Sequence, residues 1–321
     1  MLKIGMIGTG RIAKRFVNEI LLVDDTELSC VYNPHEESAY KFVADYCMKY
    51  RNKPIATTSW ELLLKNCDAV YIATPHDTHY LYAKSALESG KHVLCEKPMV
   101  LVKKEAEELF DIAEKHKLIL REAVKTAYCP GFLKLLEVSK SGKVGKICDV
   151  EATFTKLESA RSRELIDYKT GGSVTELATY GLLPILKLLG CRYNEVNFKS
   201  LLTDNGVDKY TKIFLTYDNA MAMAKIGLGV KSEGQLLISG TKGYIIAESP
   251  WWLTRKFEVR YENPSQREIY EEQFIGAGLW YEIREFVKAC RGMDSYNGVS
   301  AQETITEIQI IEEFLKQRAI K

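Results

Sequence analysis

The residues of this chain best placed to do chemistry sit at the ends of apolar runs. Gly8-Thr9-Gly10-Arg11-Ile12-Ala13 follows the run at 2–7 and leads into a stretch of helical period, with Ile12, Ala13, Phe16, Val17, Ile20 and Leu21 on one face. A Gly-x-Gly-x-x-Ala turn between a strand and a helix fits a dinucleotide. Gly8 permits the tight turn, Gly10 lets a pyrophosphate approach the backbone, and Ala13 keeps the helix close to the strand. The helix start offers N–H groups to the phosphates. The alternative is a tight strand-to-helix turn with no ligand. Further along, Cys95-Glu96-Lys97-Pro98 ends another apolar run. An ammonium at a strand end facing a cofactor crevice can meet a substrate oxygen, and Pro98 biases Lys97 toward extended backbone. A surface salt bridge between Glu96 and Lys97 is the plainer alternative.

These positions require a scaffold that brings strand ends to one edge. Strand signals at 27–32, 55–57, 68–73, 92–95 and 118–122 alternate with helical stretches at 36–50, 59–64, 78–89 and up to His116. Ser59 is placed to cap one helix and Gly90 to close another. Alternation of this kind predicts a doubly wound parallel sheet, whose ligands bind at the carboxyl ends of the strands. Past Glu122 the rhythm changes. A helix at 130–139, a strand at 146–155 and a polar loop at 156–170 precede Gly171-Gly172, which opens a helix to about residue 189. From 194 to 274 strands follow one another, with hairpin signals at Asp218-Asn219 and Thr241-Lys242-Gly243. Two helices close the chain, the second beginning with the capping-box sequence Ser300-Ala301-Gln302-Glu303. The expected architecture is an α/β chain: a dinucleotide-binding Rossmann domain at 1–121, then an α+β domain at 122–321 on a mostly antiparallel sheet. With no flexible linker between them, the two halves are expected to share an interface, and the closing helices to pack back on the first.

Composition excludes several classes. A net charge of +1 provides no field for nucleic acid or anionic lipid. No apolar run approaches the roughly 18 residues that span a bilayer, and the opening run is too short for a signal peptide. The eight cysteines stand singly, which suits reduced thiols in a cytoplasmic protein and offers no zinc-ligand spacing. No metal is expected.

Taken together, Gly8–Ala13, Thr74-Pro75…His79, the segment Gly90 to Pro98 ending in Glu96-Lys97-Pro98, and Gly171-Gly-Ser-Val-Thr-Glu-Leu-Ala-Thr-Tyr180 resemble the glucose–fructose oxidoreductase / inositol 2-dehydrogenase (Gfo/Idh/MocA) family of NAD(P)-dependent oxidoreductases. The resemblance runs over the whole chain. It implies that Lys97 is the catalytic-site lysine and that Thr74, Pro75, His79 and Glu96 border the cofactor. Many members carry Asp and His where this chain has Glu176 and Tyr180, and the tyrosine makes it more similar to the trans-dihydrodiol / D-xylose dehydrogenase branch. Ala127 and Lys125 depart from that branch's usual arginine and aromatic or apolar residue, and Ala178 from a usual glycine.

The histidines agree with the tyrosine. All five (35, 76, 79, 92 and 116) lie in the first half, so the second domain has none to act as acid or base, and a phenol or amine must serve. Tyr180 lies four residues after Glu176, on the same helix face. A lysine ammonium nearby would favour its phenolate. The alternative is one more core tyrosine among 18. The coenzyme's ribose end is ambiguous. Where an acidic residue would favour NAD the chain reads Asn33-Pro34-His35. Asn33 could bond a hydroxyl or a phosphate, or merely make the turn, while Arg11 and His35 could help a 2′-phosphate; the balance leans to NADP. Arg161, Arg163, Lys125, Glu176 and Trp251-Trp252 are substrate-side candidates, each with an ordinary loop or packing alternative.

The expected activity is reversible hydride transfer between nicotinamide and a carbinol or carbonyl carbon of a sugar, polyol or dihydrodiol, with Tyr180 passing the proton and Lys97 holding the oxygen. The rival is a non-catalytic NAD(P)-binding sensor on the same fold. Ile213, Leu215 and Tyr217 alternate with Lys212, Phe214 and Thr216, so both faces of the second sheet carry apolar side chains and a homo-oligomer through that sheet is expected.

Overall fold

A computed structural model describes residues 1–320 and divides the chain into two compact units, Met1–Lys125 with Ile275–Ala301, and Thr126–Phe274 with Gln302–Lys321. The first unit opens β1 (Leu2–Ile7), α1 (Arg11–Glu19), β2 (Thr26–Tyr32), α2 (Glu36–Tyr46), β3 (Ile55–Thr57) and α3 (Trp60–Lys65). It continues with β4 (Ala69–Ile72), α4 (His79–Glu88), β5 (His92–Glu96), α5 (Lys103–His116) and β6 (Leu120–Ala123). The six strands pair in parallel in the order β3-β2-β1-β4-β5-β6. The order reverses between β1 and β4, so their carboxyl ends flank a topological switch point, with the end of β5 next along. Strand β4 is buried along its length, as a parallel strand covered on both faces must be. Ser59 caps α3, its Oγ accepting from the Leu62 N–H at 3.2 Å.

The second unit holds α6 (Pro130–Lys140), β7 (Ile147–Thr155), the short α7 (Arg163–Ile166) and α8 (Ser173–Leu189). Then come β8 (Glu195–Leu202), β9 (Asp208–Tyr217), β10 (Ala220–Gly227), β11 (Leu236–Gly240), β12 (Gly243–Ala247), β13 (Lys256–Tyr261) and β14 (Arg267–Glu271). The sheet runs β14-β13-β12-β11-β7-β10-β9-β8. All its pairings are antiparallel except β7 with β10, because β7 is inserted between two strands formed much later in the chain. Helix α8 packs on β7, β9 and β10, over the buried Val150, Ala152, Ala222, Ala224 and Ile226.

Of the closing helices, α9 (Leu279–Cys290) belongs to the first unit and α10 (Ala301–Ile320) to the second. Leu279, Ile283, Phe286 and Val287 of α9 enter the core made by Ile4, Met6, Phe16 and Leu28. The start of α9 is capped from a distance: Glu19 of α1 accepts from the N–H of Ala277 at 2.6 Å and of Trp280 at 3.1 Å. A carboxylate at a helix N-terminus satisfies orphan donors and meets the positive end of the dipole. Among the described residues no helix is long and apolar enough to cross a membrane, and no group of three or more His, Cys, Asp or Glu is arranged to hold a metal ion.

Candidate active site

In the first unit the turn after β1 has two glycines held for different reasons. Gly8 has φ +98°, and a Cβ there would lie 2.4 Å from the Ala73 carbonyl oxygen, so the fold itself requires glycine. Gly10, with φ −77° as the N-cap of α1, has ordinary backbone, and a Cβ would meet nothing nearer than Ala73 O at 4.0 Å. Nothing in the protein asks for glycine at 10, yet the surface it leaves bare adjoins a helix start with no side-chain cap. A cradle that a side chain would fill, beside uncapped N–H groups, fits a dinucleotide pyrophosphate. Asn33, at the end of β2, ties this loop down: its Nδ2 donates to Thr9 Oγ1 at 2.8 Å, and its Oδ1 accepts from the His35 N–H at 2.9 Å. It therefore makes the turn and braces the glycine loop at once. Arg11 and His35 are exposed beside it, and Ile12 is half-buried.

The loops after β4 and β5 are joined by His79. The ring is fully buried, with Nε2 2.9 Å from Thr74 O and Nδ1 3.0 Å from Pro98 O. Burial first, then the nearby His76, pushes its pKa down to about 4, against the pull of the two carbonyls, and the neutral ring donates to one of them while packing against the other. Thr78 Oγ1 donates to Thr74 Oγ1 at 2.8 Å, and Pro75 is exposed at the loop tip. Glu122, at the end of β6, accepts from the Met99 N–H at 2.9 Å and holds the segment that follows Pro98. Lys97 is half-buried on this support.

Glu96 is 9% exposed and takes the Tyr71 hydroxyl at 2.5 Å and, at 3.4 Å, the Lys97 N–H. Burial raises its pKa, against the pull of the Tyr71 hydrogen bond and the Lys97 charge. Tyr71 is itself held by stacking on Phe16, with ring centroids 3.8 Å apart. Glu96 therefore anchors the strand end from within rather than lining a surface. Lys125 also turns inward. It is 9% exposed, and its Nζ donates to Ala277 O at 2.7 Å.

In the second unit Tyr180 lies half-buried on α8, with its ring 4.9 Å from Phe154, which in turn stacks on Trp252 at 3.7 Å. Trp251 is core, its Nε1 donating to Thr153 O at 2.8 Å. Glu176, one turn before Tyr180, faces Arg163 across 3.8 Å, while Arg161 is exposed in the loop. The start of α8 is built from distant residues. Gly172 has φ +117°, and a Cβ there would fall 2.0 Å from Asp208 Oδ1. Asp208 Oδ2 accepts from the Val174 N–H at 2.9 Å, Arg318 Nη1 donates to Asp208 Oδ1 and to Gly171 O at 3.0 Å each, and Ser173 Oγ donates to Asp208 O at 3.0 Å.

Sequence reasoning did not reach Glu19, Tyr71, Glu282, Asp208 or Arg318. Glu282 had a signal: it lies on the apolar face that Leu279, Ile283 and Phe286 define on α9, where a charge is out of place. Asp208 and Arg318 had none, being joined only by the fold.

A model of an oxidoreductase family with an NAD-binding Rossmann fold matches residues 2–124. The chain is 28% identical over 332 residues to a scyllo-inositol 2-dehydrogenase (NADP(+)) of Bacillus subtilis, covering 100% of this chain and 98% of that one. It is 25% identical over 331 residues to a trans-1,2-dihydrobenzene-1,2-diol dehydrogenase of Xenopus laevis, covering 99% and 98%. A solved structure of KijD10, a 3-ketoreductase from Actinomadura kijaniata, in complex with NADP and TDP-benzene, superimposes with a TM-score of 0.82 at 20% identity, covering 97% and 96%.

Proposed function

From the premise that this chain belongs to the Gfo/Idh/MocA oxidoreductase family, we propose that it is an NAD(P)-dependent dehydrogenase or reductase acting on a carbinol or carbonyl carbon of a sugar, polyol or dihydrodiol, with Lys97 and Tyr180 as its catalytic residues. The single observation that carries the reading is the bare Gly10 cradle at the uncapped start of α1, on the same edge of the parallel sheet as Lys97. When bound, the nicotinamide supplies the hydride exchange. The residues of the loop 8–12 hold the pyrophosphate through backbone N–H groups. Thr74 and Pro75 line the coenzyme crevice, while His79 and Glu96 fix the loops from below. Lys97 holds the substrate oxygen, and Tyr180 passes the hydroxyl proton at its phenol oxygen. Trp252, Phe154, Arg161, Arg163 and Glu176 are the substrate-side groups of the second unit, the aromatics suiting a ring face.

The chain favours NADP over NAD. The end of β2 carries no acid to take a ribose 2′-hydroxyl or to repel a 2′-phosphate, and Asn33, Arg11 and His35 stand there instead. A second copy of the chain covers the outer face of the second unit's sheet, where Phe214, Met221 and Ile269 are 38%, 64% and 46% exposed. A monomeric mass by light scattering at micromolar concentration would rule that out. The reaction is tested by following NADPH and NADH absorbance with a panel of sugars, inositols and diols. Turnover with a member of that panel, faster with the NADP(H) couple, is expected; coenzyme binding without turnover on any of them would turn the reading to the sensor.

A further inference from the structure

Three charged side chains of α10 meet α8 or the residues that lead into it. Glu303 pairs with Lys187 at 2.7 Å, Glu307 accepts from the Thr179 hydroxyl, and Arg318 reaches the loop before the helix. Arg318 is buried, at 6% exposure. Its Nη1 donates to Asp208 Oδ1 and to Gly171 O at 3.0 Å each, and its Nη2 donates to Tyr168 O. The Tyr168 ring lies 5.0 Å from the guanidinium, and its hydroxyl donates back to Arg318 O at 3.3 Å. A cation that only neutralised Asp208 would need one of these contacts. This one also gives donors to two backbone carbonyls of a single loop. Within that loop, Gly171 N–H donates to Asp167 O at 2.9 Å and Gly172 N–H to Glu164 O at 2.7 Å, which folds α7 back on the start of α8. The fit is close: a Cβ on Gly171 would lie 2.6 Å from Asp167 O. A second tie, from Asn205 to Ile166 O at 2.9 Å, comes from an exposed turn. Arg318 is the tie to the loop that lies out of reach of water. The same fold sets Arg163 3.8 Å from Glu176.

We propose that Arg318 is a positioning residue for the substrate side of the site: it moors residues 163–172 to β9 and to the start of α8, and so sets where Arg163 stands beside Glu176. The inference rests on the reading of Arg163 and Glu176 as substrate-side groups. It divides the work of the second unit in two. Substrate affinity depends on the moored loop. Tyr180, about two turns into α8, is placed by the helix itself, whose Thr179 is held by Glu307. Removing the guanidinium leaves Asp208 its bond to the Val174 N–H, so the helix start keeps a tie of its own. Loss of Arg318 therefore weakens substrate binding more than it slows the reacting step.

The test compares wild type, Arg318→Gln and Arg318→Lys in two measurements on the full chain at pH 7. The first is limited trypsin digestion without substrate, with cleavage after Arg161, Arg163 and Lys169 read by mass spectrometry. Arg318→Gln should be cut in this loop about tenfold faster than wild type, with cleavage elsewhere unchanged. Arg318→Lys keeps the charge but not the fork, so it should follow Arg318→Gln. The second is steady-state turnover of whichever sugar, inositol or diol of the panel the wild type uses fastest. Arg318→Gln should raise KM about tenfold, with kcat and NADPH affinity within about twofold of wild type. If Arg318→Gln fails to fold, Asp208→Asn/Arg318→Gln replaces it in both measurements, since it leaves no buried charge unpaired. Loop cleavage at the wild-type rate in the folded variant would overturn the mooring. So would full rescue by lysine, because neutralising Asp208 would then suffice. A fall in kcat with KM unchanged would place the effect of Arg318 on α8 rather than on substrate. A wild type that turns over no panel member sinks the functional reading and, with it, the substrate role of Arg318. The digestion decides the mooring in either case.

Discussion

Glu96, beside Lys97, shares its buried surroundings with Glu282, an acid that no donor satisfies, whereas the helix bearing Tyr180 begins on Asp208, whose two carboxyl oxygens take the Val174 N–H and Arg318. Both acids are buried, at 1% and 0% exposure. Burial raises the pKa of both, far above the usual range for Glu282, which has no donor, and to about 6 for Asp208, which its partners hold down. The hydrogen bonds of Asp208 fix the backbone at the start of α8, whereas Glu282 makes none.

The comparison predicts unequal responses. The largest belongs to the tyrosine itself: Tyr180→Phe should bind coenzyme as wild type does by NADPH fluorescence, yet lose about 10²–10⁴-fold in turnover. A loss confined to KM would make Tyr180 a substrate contact only. Next comes its footing. Asp208→Ala leaves the Arg318 guanidinium buried without its carboxylate and should cost about 3–5 kcal/mol in urea unfolding. Glu282→Gln, at equal burial, should be neutral or stabilising at pH 7. If the two variants lose stability alike, the contrast between the acids is wrong.

A third, smaller effect is the pH slope. The folded-state pKa of Glu282 is raised, so its contribution to stability is full below the unfolded value of about 4.3 and is lost as pH rises toward the folded value. Within that window wild type should lose up to about 1.4 kcal/mol per pH unit relative to Glu282→Gln. Parallel stability–pH curves would contradict a protonated Glu282. Smallest is Ser59→Ala, which removes an α3 cap whose Oγ accepts from Leu62 N at 3.2 Å. It should cost about 1 kcal/mol with no change in turnover, and so sets the scale for a hydrogen bond that water can replace. A cost near that of Asp208→Ala would show that burial is not what separates them.

What was legible in the sequence was local. The turn at Gly8–Ala13, the Ser59 cap, the apolar parallel strands and the placement of Lys97 after β5 all depend on neighbours in the chain, and periodicity or a capping residue announces them. What was illegible depends on segments far apart. Strand β7 pairs with β10 and β11, so its central place in the sheet cannot be read from its own residues. The bond from Lys125 to Ala277 O likewise joins segments far apart, and nothing near Lys125 in sequence announces it. Asn33 was readable as a turn residue, but not as the brace on Thr9, which comes from the preceding turn. Glu282 lies between these cases: its helix announced an apolar face, and its charge on that face was the clue.

The central claim, that Lys97 and Tyr180 carry one proton-coupled step, is tested most directly by turnover of Lys97→Met, Tyr180→Phe and the double variant on one substrate with NADP(H). Residues acting as a unit are strongly non-additive. The double variant should therefore be no slower than roughly the poorer single one, with coenzyme affinity unchanged in all three. Losses that multiply, or a Tyr180→Phe enzyme that keeps near-normal turnover, would contradict it.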